Sequence, residues 1–134
     1  MTTAKTIYDT AISMGMPNNT ALLIVAQAKH ETGNFTSKTF LQNHNCFGYK
    51  FVAGAKYQDG AGRTSTEGDP YAKYKSVVES TQEICAWLKR HISNYAKLKT
   101  PLEYATALKN VGYYGAPISQ YVHGTSSYYQ STIA

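Results

Sequence analysis

The chain has 134 residues, 43% of them hydrophobic, which is enough for one domain around a single core. Its net charge of +5 predicts an anionic partner such as nucleic acid, lipid headgroups or an acidic polymer, although so small a charge also serves solubility alone. No apolar run is long enough to span a membrane, and the first residues lack the basic start and apolar segment of a secretory signal.

The chain begins with a predicted helix over roughly its first 14 residues. Thr2 or Thr3 can cap this helix, because a threonine hydroxyl accepts a hydrogen bond from a free backbone N–H of the first turn. The turn at residues 15–19, which read GMPNN, separates it from the second helix, and Asn18 or Asn19 is expected to cap that helix.

The second helix is apolar on nearly every side, as expected for a helix at the centre of the fold. Its residues 21–28 read ALLIVAQA. Gly33 follows shortly after and is the residue type that most often ends a helix in the left-handed conformation. Glu31 therefore lies in the last turn of a buried helix, on the same face as Ile24 and Ala28.

The position of Glu31 is unusual for a carboxylate. The negative end of the helix dipole and the apolar surroundings both disfavour its ionised form. Both effects raise the pKa, toward a carboxylic acid that stays protonated near neutral pH, as a general acid must. The alternative is that Glu31 is simply the polar end of a helix and reaches water.

The middle of the chain predicts a small β region. Residues 34–46 are polar and irregular and are expected to form a loop along one side of a cleft. Residues 47–52 and 72–74 are strand-like, and residues 57–67 are expected to form a hairpin or a mobile flap. Binding residues commonly lie on such loops when a rigid scaffold positions them.

Three further helices are predicted after the β region. The first, over about residues 76–93, begins with the capping box SVVE. The residues expected on its buried face are Val77, Thr81, Ile84, Cys85, Leu88 and Ile92. The second, over about residues 100–111, begins with the capping box TPLE, which places proline at the first helical position. The last starts near residue 118, and its apolar and aromatic residues are Tyr121, Val122, Tyr128 and Tyr129.

Several segments, taken in order, resemble the bacterial cell-wall glucosaminidases of glycoside hydrolase family 73. The family's A-x-x-E-S-G is similar to residues 28–33 (AKHETG), and its N-N-L-F-G-I-K to residues 44–50 (HNCFGYK). Its T-x-E and F-R-x-Y-x-S are similar to residues 64–67 (TSTE) and 71–76 (YAKYKS). Its L-x-x-A-G-Y-A-T-D-P-x-Y is similar to residues 108–117 (LKNVGYYGAP).

The resemblance covers roughly residues 5–133 and implies an α+β, mainly α, lysozyme-like fold. A helical lobe and a small β-hairpin lobe at about residues 47–74 would flank a substrate groove, in a single catalytic domain over residues 1–134. It also implies a peptidoglycan hydrolase that cleaves the β-1,4 glycosidic bond after N-acetylglucosamine, with Glu31 as general acid and no cofactor. The alternatives are a muramidase or lytic transglycosylase on the same polymer, or a non-catalytic glycan-binding module.

Glycosidic cleavage usually needs a second carboxylate. Other roles are expected for the four carboxylates in helix caps, on a solvated helix face or in the first helix: Glu79, Glu103, Glu83 and Asp9. Glu67 matches the family's T-x-E and is the second candidate, with Asp59 and Asp69 in reserve; its alternative is an exposed loop residue without a role. At roughly 5–5.5 Å from the acid it would attack directly, and at about 6.5–9.5 Å it would activate water. In a third route, the substrate's own acetamido oxygen attacks instead.

The resemblance also implies residues that contact the sugar. Tyr113 is expected to help hold the ring as a third catalytic residue, and Tyr71, Tyr74, Asn45 and Phe47 are expected to bind substrate. A tyrosine offers a flat face for sugars and a hydroxyl for hydrogen bonds. The alternatives are core packing for the tyrosines, a structural role for Phe47, and binding of the loop backbone by Asn45.

The chain departs from the family pattern at three places. Asn34 and Phe35 replace W-G, His44 replaces the first Asn of the pair, and Gly115-Ala116 replaces T-D. The first two can alter the sugar subsites, and none removes the proposed acid.

Neither the cysteines nor the histidines form a metal-ligand pattern, so no metal is expected. Residues 30–34 are not H-E-x-x-H, because Asn34 stands where the second histidine should be. Cys46 stands where the family usually has Leu, which indicates a small buried apolar side chain. A disulfide with Cys85 is also compatible with the sequence.

The expected partner is the bacterial peptidoglycan glycan strand, with no nucleic acid, no membrane insertion and a monomeric state. A wall-degrading enzyme without a signal peptide must reach its substrate by another route. We expect a phage-encoded enzyme that is virion-associated or released through a pore, or a domain of a longer exported protein, acting at the bacterial cell wall.

Overall fold

The computed structural model describes residues 2–113 and 118–133, and this part of the chain is mainly helical with a small antiparallel sheet. Its elements are α1 (Thr3–Ser13), α2 (Asn18–Glu31), α3 (Lys38–Asn43), β1 (Ala61–Thr64), β2 (Pro70–Ala72), α4 (Val77–His91), a 3-10 turn (Tyr95–Lys97), α5 (Pro101–Asn110) and α6 (Ile118–Ile133). The predicted α+β, mainly α class is confirmed. None of the helices in the described part is long and apolar enough to cross a membrane.

The central helix is α2, as its composition predicts. Its buried residues are Thr20, Ala21, Leu23, Ile24, Val25, Ala26, Gln27 and Ala28. Helices α1 and α6 pack against it, and each fully buried leucine or isoleucine contributes on the order of 1.5–3 kcal/mol. The predicted cap by Asn18 or Asn19 is wrong. Pro17 takes the N-cap position without a side-chain cap bond, and the Asn18 side chain instead accepts a hydrogen bond from the Tyr8 hydroxyl.

The end of α2 turns sharply, as the glycine predicts. Gly33 has a φ of 58°, and the next two residues, Asn34 and Phe35, are also left-handed at 59° and 67°. Such a conformation costs a non-glycine residue roughly 1 kcal/mol or more. Thr32 helps to hold the turn, because its hydroxyl donates to the Ala28 carbonyl at 2.7 Å and accepts from the Phe35 N–H at 2.8 Å. Glu31 therefore ends a helix whose exit is closely constrained.

The β region is smaller than the sequence predicts and begins later. Residues 34–46, expected to be irregular, contain α3, whose Phe40 N–H is capped by the Ser37 hydroxyl. The hairpin is formed by β1 and β2 rather than by residues 57–67, and residues 47–52 contribute one isolated bridge, between Lys50 and Tyr71. A Cβ at Gly62 would overlap the Asn43 side chain. Helix α3 therefore packs closely against β1.

The later helices lie where they were predicted. The capping box of α5 is complete, whereas in α4 Ser76 caps the Val78 N–H and Glu79 accepts from the Ser76 hydroxyl instead of the backbone. Glu83, expected on a solvated helix face, is half-buried, and its carboxylate accepts hydrogen bonds from the Tyr74 hydroxyl and from Gln58.

Both cysteines are buried and free, so the alternative of a disulfide is wrong. Burial raises the pKa of Cys46 and of Cys85 to about 12. Both thiols therefore stay protonated and pack as small apolar groups, as the sequence indicates for Cys46.

Candidate active site

Glu31 is half-buried at the end of α2. Burial raises the pKa of its carboxyl from an ordinary 4.5 to about 7, and the neighbouring Tyr121 hydroxyl lowers it in part. Gly48 passes close to the carboxyl, since a Cβ at this residue would lie 3.6 Å from Glu31 Oε2. Glu31 is thus a carboxylic acid that is substantially protonated at neutral pH and faces an open groove.

Two arms of this groove meet at Glu31, and Gly48 and Lys50 line both of them. The aromatic arm has a volume of about 470 Å³, and its other lining residues are Phe47, Tyr49, Val52, Trp87, Gly112 and Tyr113. The polar arm has a volume of about 340 Å³, and its other lining residues are Ser37, Thr39, Asn45, Glu67 and Tyr71. A long substrate placed over Glu31 would therefore meet different chemistry on its two sides.

Asn45 holds the loop that faces Glu31. Its amide nitrogen donates to the carbonyls of Tyr49 and Ala72 at 2.9 and 3.0 Å. Its amide oxygen accepts from the N–H groups of Phe47 and Gly48 at 3.3 and 2.9 Å. Asn45 is only 1% exposed. It therefore binds the backbone of the loop, which was the alternative to the expected contact with substrate.

Glu67 lies in the turn between β1 and β2 and lines the same arm as Glu31. Its side chain is 79% exposed, and its nearest charged partner is Lys50, whose Nζ lies 4.0 Å from Glu67 Oε1. Asp59 and Asp69 line neither arm. The structure thus brings two of the four remaining carboxylate candidates to one groove.

The aromatic candidates divide between groove and core. Tyr113 lines the aromatic arm with its hydroxyl donated to the Phe47 carbonyl at 2.8 Å, and burial holds its pKa well above the ordinary value. Tyr71 lines the polar arm, with Lys50 Nζ 4.8 Å from its ring centroid. The expectation that Tyr74 lines the cleft is corrected, because it is 2% exposed and donates its hydroxyl to Glu83.

Phe47 also lines the aromatic arm although it is only 2% exposed. The last part of the family-like segment, residues 114–117, lies outside the described residues. The departure at Gly115-Ala116 falls within that stretch.

Several residues near Glu31 were missed by the sequence reasoning. Tyr121 of α6 is 3% exposed, and its hydroxyl lies close enough to the Glu31 carboxyl to lower the pKa of that group in part. The fully buried Gln27 accepts a hydrogen bond from the Tyr104 hydroxyl. The available signal was Gln27 itself, a polar residue in an apolar helix one turn before Glu31. Trp87 of α4, which lines the aromatic arm, was the other omission.

Helix α6 approaches α2 closely beside Glu31. A Cβ at Gly124 would overlap the imidazole ring of His30, so only glycine allows this packing. The His30 ring meets Tyr121 edge-on with centroids 4.9 Å apart. This contact places the Tyr121 side chain against the last turn of α2. Among the described residues, no group of three or more His, Cys, Asp or Glu side chains could hold a metal ion.

A family model described as "Glucosaminidase: Mannosyl-glycoprotein endo-beta-N-acetylglucosaminidase" matches residues 5–134. No curated protein sequence matches the chain significantly. Among solved structures, a type VI secretion system effector–immunity complex from Pseudomonas protegens contains a similar chain, with a TM-score of 0.68 and 18% identity. The match covers 98% of this chain and 94% of that one, and it shows a shared fold.

Proposed function

Because this chain belongs to the glucosaminidase family and is therefore a glycoside hydrolase, we propose that it cleaves the β-1,4 bond after N-acetylglucosamine in bacterial peptidoglycan. The proposal rests above all on Glu31, whose pKa of about 7 suits a general acid and which lies where the two arms of the groove meet. We further propose that residues 1–134 act as one catalytic domain.

In the first step, Glu31 transfers its proton to the glycosidic oxygen as the C1–O bond breaks. The leaving sugar departs as an alcohol, and positive charge develops on the ring that remains. Glu31 becomes a carboxylate in a half-buried site, where the neighbouring Tyr121 hydroxyl favours the ionised form. The site therefore favours a neutral acid at rest and tolerates its anion after the transfer.

In the second step, water must reach the anomeric carbon. We assign Glu67 the role of base or charge stabiliser, because it lines the same arm as Glu31. Its side chain is 79% exposed and can therefore approach a substrate in the polar arm without first leaving a buried position. In the alternative route, the substrate's acetamido oxygen attacks and Glu67 is dispensable.

Tyr113 would help to hold a sugar ring in the aromatic arm, on the other side of Glu31 from Glu67. Its hydroxyl is already donated to Phe47, so its ring face is the part available to the sugar. Tyr71 would contact sugar in the polar arm, while Asn45 would act by holding the loop, with Phe47 as part of the groove wall.

The net charge of +5 suits an anionic wall polymer. The fold shared with the chain of a type VI secretion system effector–immunity complex adds delivery by a secretion system to the routes through phage or export. It also adds an immunity protein as a binding partner to be tested, as an alternative to the expected monomeric state.

A lytic transglycosylase is the second candidate, because such an enzyme needs one carboxylate and Glu67 is largely exposed. It would leave anhydro sugar ends instead of reducing ends.

The test of the proposal is turnover of purified peptidoglycan by the wild type, Glu31→Gln and Asp69→Asn. We expect Glu31→Gln to lose at least ~10²-fold in rate, the scale of general acid catalysis. Asp69→Asn, an exposed carboxylate outside both arms, should behave as wild type. A Glu31→Gln protein that is folded and retains near-wild-type turnover would refute the assignment.

A further inference from the structure

We propose that Trp87 is a sugar-binding platform that holds an N-acetylhexosamine ring of the glycan strand in the aromatic arm of the groove. This inference rests on the proposed function and extends it to a residue outside the family-like segments. Trp87 lies on α4, one helical turn before the end of that helix, and is half-buried.

The indole ring is held in place by its neighbours. Its centroid lies 4.9 Å from that of Tyr113 in an edge-on arrangement and 4.8 Å from that of His91 in a tilted one. Tyr113 in turn meets Tyr49 edge-on at 6.0 Å and is anchored by its 2.8 Å hydrogen bond to the Phe47 carbonyl. A side chain fixed in this way binds a ligand with little loss of conformational entropy.

The chemistry of the aromatic arm fits a sugar. Its volume of about 470 Å³ lies within the usual range of ligand sites, about 300–1,000 Å³. Its wall is formed largely by aromatic and small residues, with the polar groups of Glu31 and Lys50 at the end where the arms meet. A pyranose has an apolar face of C–H groups that packs on aromatic rings and a hydroxyl edge that needs polar partners. The arm supplies both.

The location of Trp87 defines what it contributes. Glu31 lies at the junction, so a strand cleaved there extends into the aromatic arm on one side and into the polar arm on the other. A platform in one arm binds substrate and transition state equally. It should therefore affect KM more than kcat.

The chain offers a direct probe, because Trp87 is its sole tryptophan. We would titrate Glu31→Gln with the N-acetylglucosamine tetramer and follow tryptophan emission. The proposal predicts a saturable change in emission, with the same dissociation constant by calorimetry. Calorimetric binding without any change in emission would overturn it.

Variants in the Glu31→Gln background then test the contribution of the ring. Trp87→Ala should weaken tetramer binding by ~10-fold or more, equivalent to about 1.4 kcal/mol, whereas Trp87→Phe should retain most of the affinity. The matched control is Leu102→Ala, an apolar residue that is 56% exposed and lines a separate cavity between α4 and α5. Circular dichroism checks that each variant folds, and Trp87→Leu, which keeps an apolar side chain but no aromatic ring, replaces Trp87→Ala if that variant does not fold.

The outcomes separate this inference from the proposed function. If the wild type cleaves peptidoglycan but Trp87→Ala, or Trp87→Leu in its place, binds the tetramer as tightly as Leu102→Ala, the platform is refuted and the function stands. If tetramer binding depends on Trp87 but no glycosidic bond of peptidoglycan is cut, the platform stands and the proposed function fails. If Trp87→Phe binds no better than a folded Trp87→Ala, the aromatic ring is not the binding element and the platform is refuted.

Discussion

Replacing Glu31 by glutamine should make the protein more stable at alkaline pH while abolishing its activity. Burial raises the pKa of the Glu31 carboxyl to about 7 from 4.5, so the folded state holds a proton that the unfolded state releases. Between these two values the unfolded state loses its proton first, and the free energy of unfolding of the wild type falls as pH rises. Glutamine is neutral at every pH, so the free energy of unfolding of the variant does not fall in this way.

The size of the effect follows from the two pKa values. The difference between about 7 and 4.5, at about 1.4 kcal/mol per pKa unit, corresponds to about 3 kcal/mol. Below about pH 4.5 both states are protonated, and the substitution should change stability little. The stabilisation should grow between about pH 4.5 and 7 and then level off near its full value by about pH 8.

The assay is urea unfolding of both proteins at pH 4, 6 and 8, followed by circular dichroism. The control is Glu67→Gln, whose side chain is 79% exposed in the wild type; it should change stability by less than about 0.5 kcal/mol at every pH. A stability difference between the wild type and Glu31→Gln that does not vary with pH would refute the argument, as would a Glu31→Gln protein that is less stable than the wild type at pH 8.

Further predictions concern the loop, the helix contact and the catalytic pair. Asn45→Ala should lower the free energy of unfolding by about 2–4 kcal/mol, because four backbone hydrogen bonds lose their partner; a loss below 1 kcal/mol in urea unfolding would contradict this. Gly124→Ala should lower the melting temperature despite the better helix propensity of alanine, because its Cβ would overlap His30, and adding His30→Ala should restore it; a lone Gly124→Ala that melts higher would show that the contact is loose. The kcat/KM of the wild type should fall as pH rises through about 7, where Glu31 loses its proton, and a flat profile from pH 5 to 9 would exclude Glu31 as the acid. Glu67→Gln should lower turnover at least ~10-fold if two carboxylates act, and full activity would favour the acetamido route.

The position of Glu31 could be predicted because its determinants are local. An apolar helix, its terminating glycine and the spacing within one turn all lie within residues 21–33, and the structure has the same helix with Glu31 as its last residue. The boundaries of α4 and α5 could be predicted for the same reason, since capping residues act on the turn that follows them.

The groove around Glu31 depends on contacts that no local pattern contains. Tyr121 reaches Glu31 because α6 packs on α2 from a distant part of the chain. Trp87 lines the aromatic arm because α4 packs next to the loop that contains Tyr113. Each of these contacts joins segments far apart in sequence, so neither helical periodicity nor family-like segments indicated them.

Two predictions, for Tyr74 and for Asn18, were wrong because tertiary contacts outweighed local preferences. The sequence places Tyr74 in the cleft and Glu83 on a solvated helix face. In the fold, Tyr74 is buried in the core and its hydroxyl donates a hydrogen bond to the Glu83 carboxylate. Asn18 has the side chain of a good helix cap, yet it accepts a hydrogen bond from Tyr8 while Pro17 occupies the N-cap position. In both cases a partner from elsewhere in the chain outweighed a local preference.

The assignment of Glu31 as the acid of a glucosaminidase is tested most directly by the ends that the enzyme leaves. Purified peptidoglycan would be digested with the wild type or with Glu31→Gln, the new reducing ends would be labelled with borohydride, and the fragments would be identified by mass spectrometry. We predict reduced N-acetylglucosamine ends from the wild type and at least ~10²-fold fewer from Glu31→Gln in the same digestion time. Reduced muramic ends or anhydro ends from the wild type would contradict the bond assignment, and equal amounts of labelled ends from both proteins would contradict the role of Glu31.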